Sequence, residues 1–227
     1  DRELLSAYDS LYELIKDKDY FIVTMAVDGM IFDTALGSRM DRAVSSDPEP
    51  EETFSCPSAD SETMALMDRL FPPKEQKRPE QDTRFQRIVA PCGNENWRQC
   101  SEGCTKDIWE RGEVADGICP HCGAPLTENT VLANPYIEEG YLKSWNLYRE
   151  WLAGTLNHAL LILELGVDFK TPTVIRWPFE KTVFFNRKSH MYRINQKFYQ
   201  IVGDIQERTV SIPQNSVGFI RNFASCD

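Results

Sequence analysis

Cys100-Ser-Glu-Gly-Cys104 and, fourteen residues further on, Cys119-Pro-His-Cys122-Gly123 decide the reading of this chain. Each pair forms a short chelating turn, and two such turns let four thiolates converge tetrahedrally on one Zn²⁺ at about 2.3 Å each. A shell of four thiolates satisfies the ion and leaves no position open for a substrate water, so the spacing points to a structural zinc. His121 lies between two of the ligands, but Cys100, Cys104, Cys119 and Cys122 already complete the shell. Cys56, Cys92 and Cys226 lie apart from them. That distribution suits a reducing compartment better than a disulfide framework, and a cytoplasmic protein is expected.

Outward from the cysteines, the pattern is that of an α/β protein. On the N-terminal side, Leu4, Leu5, Tyr8, Leu11, Tyr12 and Ile15 recur at helical spacing until Lys16-Asp-Lys-Asp19 breaks the period. Tyr20-Phe-Ile-Val-Thr24 then reads as a buried parallel strand. On the C-terminal side, Tyr136 to His158 carries Leu142, Trp145, Leu152 and Leu156 on one helical face. Ala159 to Leu165 gives a second strand ending at Gly166, Thr171-Pro172 has the chemistry of a helix start that Pro178 should interrupt, and Met191-Tyr-Arg-Ile194 gives a third strand. Strands alternating with helices predict a parallel sheet covered on both faces. The organisation expected is a first part of this domain over 1–37, an acidic insertion over 38–84, the zinc module over 85–135 and the rest of the domain over 136–227. Within the insertion, Met64, Met67 and Phe71 share a face, predicting a short helix from Asp60 to Phe71 that docks on its own domain or on a partner.

Composition narrows the function classes. The chain has 227 residues, 41% hydrophobic and 26% charged, enough apolar material for one core. Its longest apolar stretch, Ala159-Leu160-Leu161-Ile162-Leu163, is far below the roughly 20 residues of a membrane helix, so no membrane partner is expected. A formal net charge of −10 argues against nucleic acid, whose affinity comes from Lys and Arg on phosphates. Arg176, Trp177, Glu180 and Lys181 form a mixed polar and aromatic stretch that reads as a solvated helix face, with a cleft-facing stretch as the alternative, and His158 and His190 read as ordinary helix-end and strand residues.

Taken together, Thr24-Met-Ala-Val-Asp28, the cysteine module running into Ala124-Pro-Leu-Thr-Glu-Asn129, Leu163-Glu-Leu-Gly-Val-Asp-Phe-Lys-Thr-Pro172, and Ile194-Asn195 resemble the sirtuin family. The resemblance is closest to its microbial macrodomain-linked branch, associated with protein ADP-ribosylation, and it covers nearly all of the chain outside the acidic insertion. It implies a Rossmann-like domain with an inserted zinc module and NAD in the cleft between them. It also implies that Asp28 binds near the nicotinamide pocket, that Gly166 and Thr171 approach the ribose and phosphates, and that Asn195 contacts the adenosine ribose. The activity implied is NAD-dependent ADP-ribosyl transfer to a protein, or deacylation, on a protein substrate.

Three departures qualify that activity. The family's glycine-rich phosphate loop has no counterpart in this sequence, and the backbone N–H groups that would cradle a pyrophosphate go with it. The Asn that the family places two residues before Asp28 is Ala26, and alignment back from Cys100 puts Cys92 where the catalytic His of deacylating members stands. Cys92 reads as a structural residue. The alternatives are therefore a catalytically inactive, sirtuin-derived binding or scaffold protein, and a zinc-ribbon interaction module on an unrelated α/β fold. The same resemblance leaves a gap where a central strand belongs, and residues upstream of Asp1 or a partner chain are expected to fill it.

Overall fold

In the computed structural model, residues 2–38 and 87–223 are described. The helix expected from Asp60 to Phe71, and Cys56 and Cys226, lie outside them. Helix α1, Arg2–Ile15, buries the predicted stripe: Tyr8, Leu11, Tyr12 and Ile15 pack against Ile31, Leu36 and Ile88. After α1 the chain turns through Lys16–Tyr20 into strand β1, Ile22–Val23, shorter than the run read from sequence. A short helical turn, α2, Ala35–Ser38, closes the first block. Strand β2, Ile88–Val89, pairs with β1 in parallel, Ile22 opposite Ile88.

The cysteine region is a three-stranded antiparallel sheet of order β4-β3-β5, with β3 at Gly93–Cys100, β4 at Trp109–Glu110 and β5 at Leu126–Thr130. Gly93, at φ 82°, opens β3 where an added Cβ would lie 2.0 Å from the Asn129 carbonyl oxygen, so only glycine lets β5 approach. Two fully buried amides tie this sheet to the Pro135–Ile137 segment. Gln99 Oε1 accepts from Asn129 Nδ2 at 2.7 Å and from the Ile137 N–H at 3.0 Å, while Gln99 Nε2 donates to the Pro135 carbonyl at 2.6 Å. Asn129 Nδ2 also donates to the Ile137 carbonyl at 2.7 Å.

Those bonds explain why helix α3 spans Glu139–Gly154 and not Tyr136 to His158. The N–H and C=O of Ile137 are both committed to side chains and cannot join a helical ladder. At the other end Asn157 takes a left-handed φ of 65°, and Asn186 Nδ2 holds the Thr155 and His158 carbonyls at 2.9 and 3.1 Å.

Strands β6, Leu160–Leu165, β7, Ser189–Ile194, and β8, Thr209–Ile212, form a parallel sheet in that order. Helix α4, Arg176–Phe185, covers one face, with Val183 packed among Ile162, Met191 and Ile205. It starts four residues later than the Thr171-Pro172 signal predicts. Pro178 falls in its first turn, where a missing N–H is tolerated, so it does not interrupt the helix. Helix α5, Ser216–Phe223, packs against α1, with an ion pair from Arg221 to Glu3 at 3.3 Å. The architecture is mixed α/β with parallel sheets. Among the described residues these are two separate sheets, β1-β2 and β6-β7-β8, in place of the single sheet expected. No helix among the described residues is long and apolar enough to cross a membrane.

Candidate metal centre and ligand-binding edge

Cys100, Cys104, Cys119 and Cys122 converge as the spacing predicts, their sulfurs all within 4.8 Å of one another. Cys100 closes β3 and is fully buried with Cys119, while Cys104 and Cys122 sit on the turns and are exposed. Each turn is closed by its own backbone: Gly103 N–H donates to the Cys100 carbonyl at 3.1 Å and Gly123 N–H to the Cys119 carbonyl at 2.9 Å. The sulfur separations of 3.5 Å for Cys100 and Cys122 and 3.6 Å for Cys104 and Cys119 are close to the edge of a tetrahedron. Four Zn–S bonds of about 2.3 Å give an edge of about 3.8 Å. The electrostatics are compatible with a cation as well. The Cys104 N–H, helped by that of Glu102, lowers the Cys100 thiol to about 6 against the opposing effect of burial. Hydrogen bonding to Cys122, burial and the proximity of the other sulfurs push Cys104 up. Four thiolates this close become compatible only around a positive ion, and the set fits a structural zinc. His121 turns away to Asp107, at 2.7 Å, and remains outside the shell.

The other predicted residues lie near the C-terminal ends of the parallel strands, where open α/β sheets bind ligands. Gly166 ends β6 at φ 67°, its N–H donating to the Ile194 carbonyl at 2.9 Å, and an added Cβ would press on Ser216 Oγ at 2.9 Å. Gly166 and Thr171 line one cleft of about 540 Å³, together with Met25, Ala26 and Asp168. Asp28 and Asn195 are not part of that lining. Asp28 is exposed on the loop after β1 and accepts from the Met30 N–H at 2.9 Å. Burial first, and the Asp28 charge second, raise the Tyr8 hydroxyl. Asn195 is buried and fully engaged: its Nδ2 donates to the Val167 carbonyl at 2.8 Å, and its Oδ1 accepts from Lys197 and Phe198 N–H groups, both at 2.9 Å. Asn195 therefore fixes the loops after β6 and β7 to each other.

A charged cluster under these loops corrects one sequence reading. The pattern places Arg176 and Glu180 on a solvated helix face, yet Arg176 is 3% exposed, and only Trp177 and Lys181 face solvent. Arg193 grips Glu164 with two bonds, Nε to Oε1 at 2.7 Å and Nη2 to Oε2 at 2.9 Å, and reaches Glu180 at 2.9 Å. Arg176 lies 3.4 Å from Glu164 and donates to the Phe198 and Gln200 carbonyls at 2.9 and 3.0 Å. Its guanidinium stacks over Phe169, 4.2 Å from the ring centroid. The cluster thus anchors the Asn195–Gln200 loop from below. Sequence reasoning missed Glu164 and Arg193; a charge inside each of two apolar strand runs was the available signal. Burial pushes the Cys92 thiol up, opposite to what a nucleophile needs.

No family model matches the chain. Over 99 residues it is 28% identical to "Protein ADP-ribosyltransferase" of Staphylococcus aureus (strain Mu50 / ATCC 700699), a stretch covering 43% of this chain and 31% of that protein. The homology is distant, and the matched stretch spans less than a third of that relative's length.

Proposed function

We propose that this chain belongs to a sirtuin-type, NAD-dependent protein ADP-ribosyltransferase with a Rossmann-like domain, in which Cys100, Cys104, Cys119 and Cys122 hold a structural zinc. In that reaction the bond between the ribose C1′ and the nicotinamide nitrogen breaks and nicotinamide leaves with the electron pair. An acceptor nucleophile on the protein substrate bonds to C1′ and gives up its proton. The observation that carries the reading is the similarity to a protein named for this activity. It is supported by Gly166 and Thr171 on one cleft at the C-terminal edge of parallel strands. Asp28, on the neighbouring loop, faces the nicotinamide end. Asn195 serves the ribose end through the loop it fixes, and the Arg176 and Arg193 cluster keeps that edge rigid before NAD arrives.

A second reading has its own observations. Ala26 lines the cleft with a side chain that forms no hydrogen bond, and the Cys92 thiol is held neutral. These favour a scaffold that keeps the fold without the chemistry. Calorimetric titration with NAD separates the two. The enzymatic reading predicts saturable binding weaker than low micromolar, that is, less favourable than about −8 kcal/mol, which tightens in Ala26→Asn and is lost in Asp28→Ala. Absence of saturable binding in both the native chain and Ala26→Asn contradicts it and leaves the scaffold.

A further inference from the structure

We propose that Asn94 is a positioning residue for Asp28: the polar start of β3 is the seat on which the loop after β1 is built, and Asn94 closes that seat. The proposal rests on the reading that puts Asp28 at the nicotinamide end. Past Thr24, whose N–H bonds to the Val89 carbonyl at 2.8 Å, the loop leaves the parallel strands and turns to the cysteine sheet. The Glu95 N–H donates to the Val27 carbonyl at 2.8 Å, and the Phe32 ring meets Trp97 at 5.5 Å between centroids. Gly29 lies flat against β3, where an added Cβ would stand 2.5 Å from Asn94 Oδ1 and 2.8 Å from Asn96 Nδ2. Asp28 is therefore held on both sides, through Val27 before it and Gly29 after it.

The seat exists because β3 is irregular. Asn129 and Glu128 are neighbours on β5, yet their partners on β3 are Asn94 and Arg98, so Glu95, Asn96 and Trp97 bulge out of that ladder. A bulge re-aims side chains and frees backbone groups, and sheets use it beside functional sites. Here the freed Glu95 N–H goes to Val27, while the Asn96 carbonyl accepts from the Arg111 N–H at 2.7 Å. Asn94, only 2% exposed, sets the bulge: its Oδ1 accepts from the Asn96 N–H at 2.8 Å and is the same atom that Gly29 packs against.

An apolar side chain at 94 would leave the Asn96 N–H without that acceptor and change the wall behind Gly29. Asp28 adds its own restraint, Oδ1 accepting from the Met30 N–H at 2.9 Å. That bond fixes the carboxylate to the loop, and the seat fixes the loop to the strand. Because the Asp28 carboxylate is exposed, what the seat supplies is a fixed direction, and a group already aimed binds its ligand without the cost of ordering it.

Calorimetric titration with NAD and amide-resolved hydrogen exchange, with zinc content measured alongside, test this on the native chain, Asn94→Ala and Asn94→Ser. Asn94→Ala should weaken NAD binding by roughly fivefold to tenfold. It should also speed exchange at Met30 and Glu95, while Ser101 and Val131, bonded to the Pro125 and Cys92 carbonyls, and the zinc content stay as in the native chain. In Asn94→Ser the hydroxyl can still take the Asn96 N–H, so binding should remain within about twofold of native. Gly29→Ala approaches the seat from the other side and carries the test if Asn94→Ala does not fold; the same selective exchange and weaker binding are expected. NAD affinity unchanged in Asn94→Ala or Gly29→Ala overturns the proposal, as does Asn94→Ser binding as weakly as Asn94→Ala. Faster exchange at Ser101 and Val131 to the same degree as at Met30 makes Asn94 merely structural and overturns it too. These results leave the ADP-ribosyltransferase reading standing, whereas no saturable NAD binding in the native chain and in Ala26→Asn overturns both.

Discussion

The antiparallel cysteine sheet and the parallel strands are held by opposite means. In the first, the contacts that matter are local: two turns of a few residues each, closed by Gly103 and Gly123, bring four sulfurs within 4.8 Å. In the second, they are distant. Arg193 meets Glu164 across 29 residues of sequence, and Arg176 reaches Gln200 across 24. The local region gathers its four sulfurs within one module, whereas the parallel strands are split, among the described residues, into two separate sheets that line one cleft. Spacing alone can build a metal centre; a parallel sheet depends on strands that the chain must bring from afar.

The comparison breaks first at the charged cluster. Arg193→Ala should destabilise the parallel region by roughly 3–5 kcal/mol, because Glu164 and Glu180 lose the cation that compensates their burial. Urea unfolding monitored by circular dichroism measures this, and a loss below about 1 kcal/mol would mean that the cluster is solvated and not buried. Gln99→Ala acts at the join between the two regions. The Ile137 N–H then loses its partner, and Asn129 loses one of two acceptors for its Nδ2, so about 1–3 kcal/mol is expected in the same measurement. Stability unchanged by Gln99→Ala would separate the cysteine sheet from α3. The smallest effect belongs to Gly123→Ala: at φ 77° with open space around it, the only penalty is the left-handed backbone, about 1–2 kcal/mol, with metal stoichiometry unchanged. Loss of metal in that variant would show that the second turn has no slack.

The same contrast explains what can be read from the sequence. The cysteine centre is legible because its ligands announce themselves by spacing, and α1, β6 and β7 because their apolar patterns are periodic or continuous. Strand β3 is not legible, since Gly93-Asn-Glu-Asn-Trp-Arg-Gln-Cys100 is mostly polar. Asn94 and Gln99 are buried there only because partners elsewhere satisfy them. Strand β8, four residues long, is too short to show a period. Arg176 misleads because charge at helical spacing looks solvated until its partners, 12 to 24 residues away, are known. The pattern starts α3 too early because a side-chain claim on the Ile137 backbone leaves no trace in hydrophobic periodicity.

Metal removal tests the two-region account most directly. Elemental analysis of the purified chain should find one zinc per molecule. Stripping it with a chelator should abolish hydrogen-exchange protection across β3, β4 and β5, because metal binding and folding of such a module are one equilibrium. Protection at Ile162, Val183 and Met191, in the core of the parallel sheet, should survive. Well under one equivalent of zinc in a folded chain, or simultaneous loss of protection in both regions, would contradict the account.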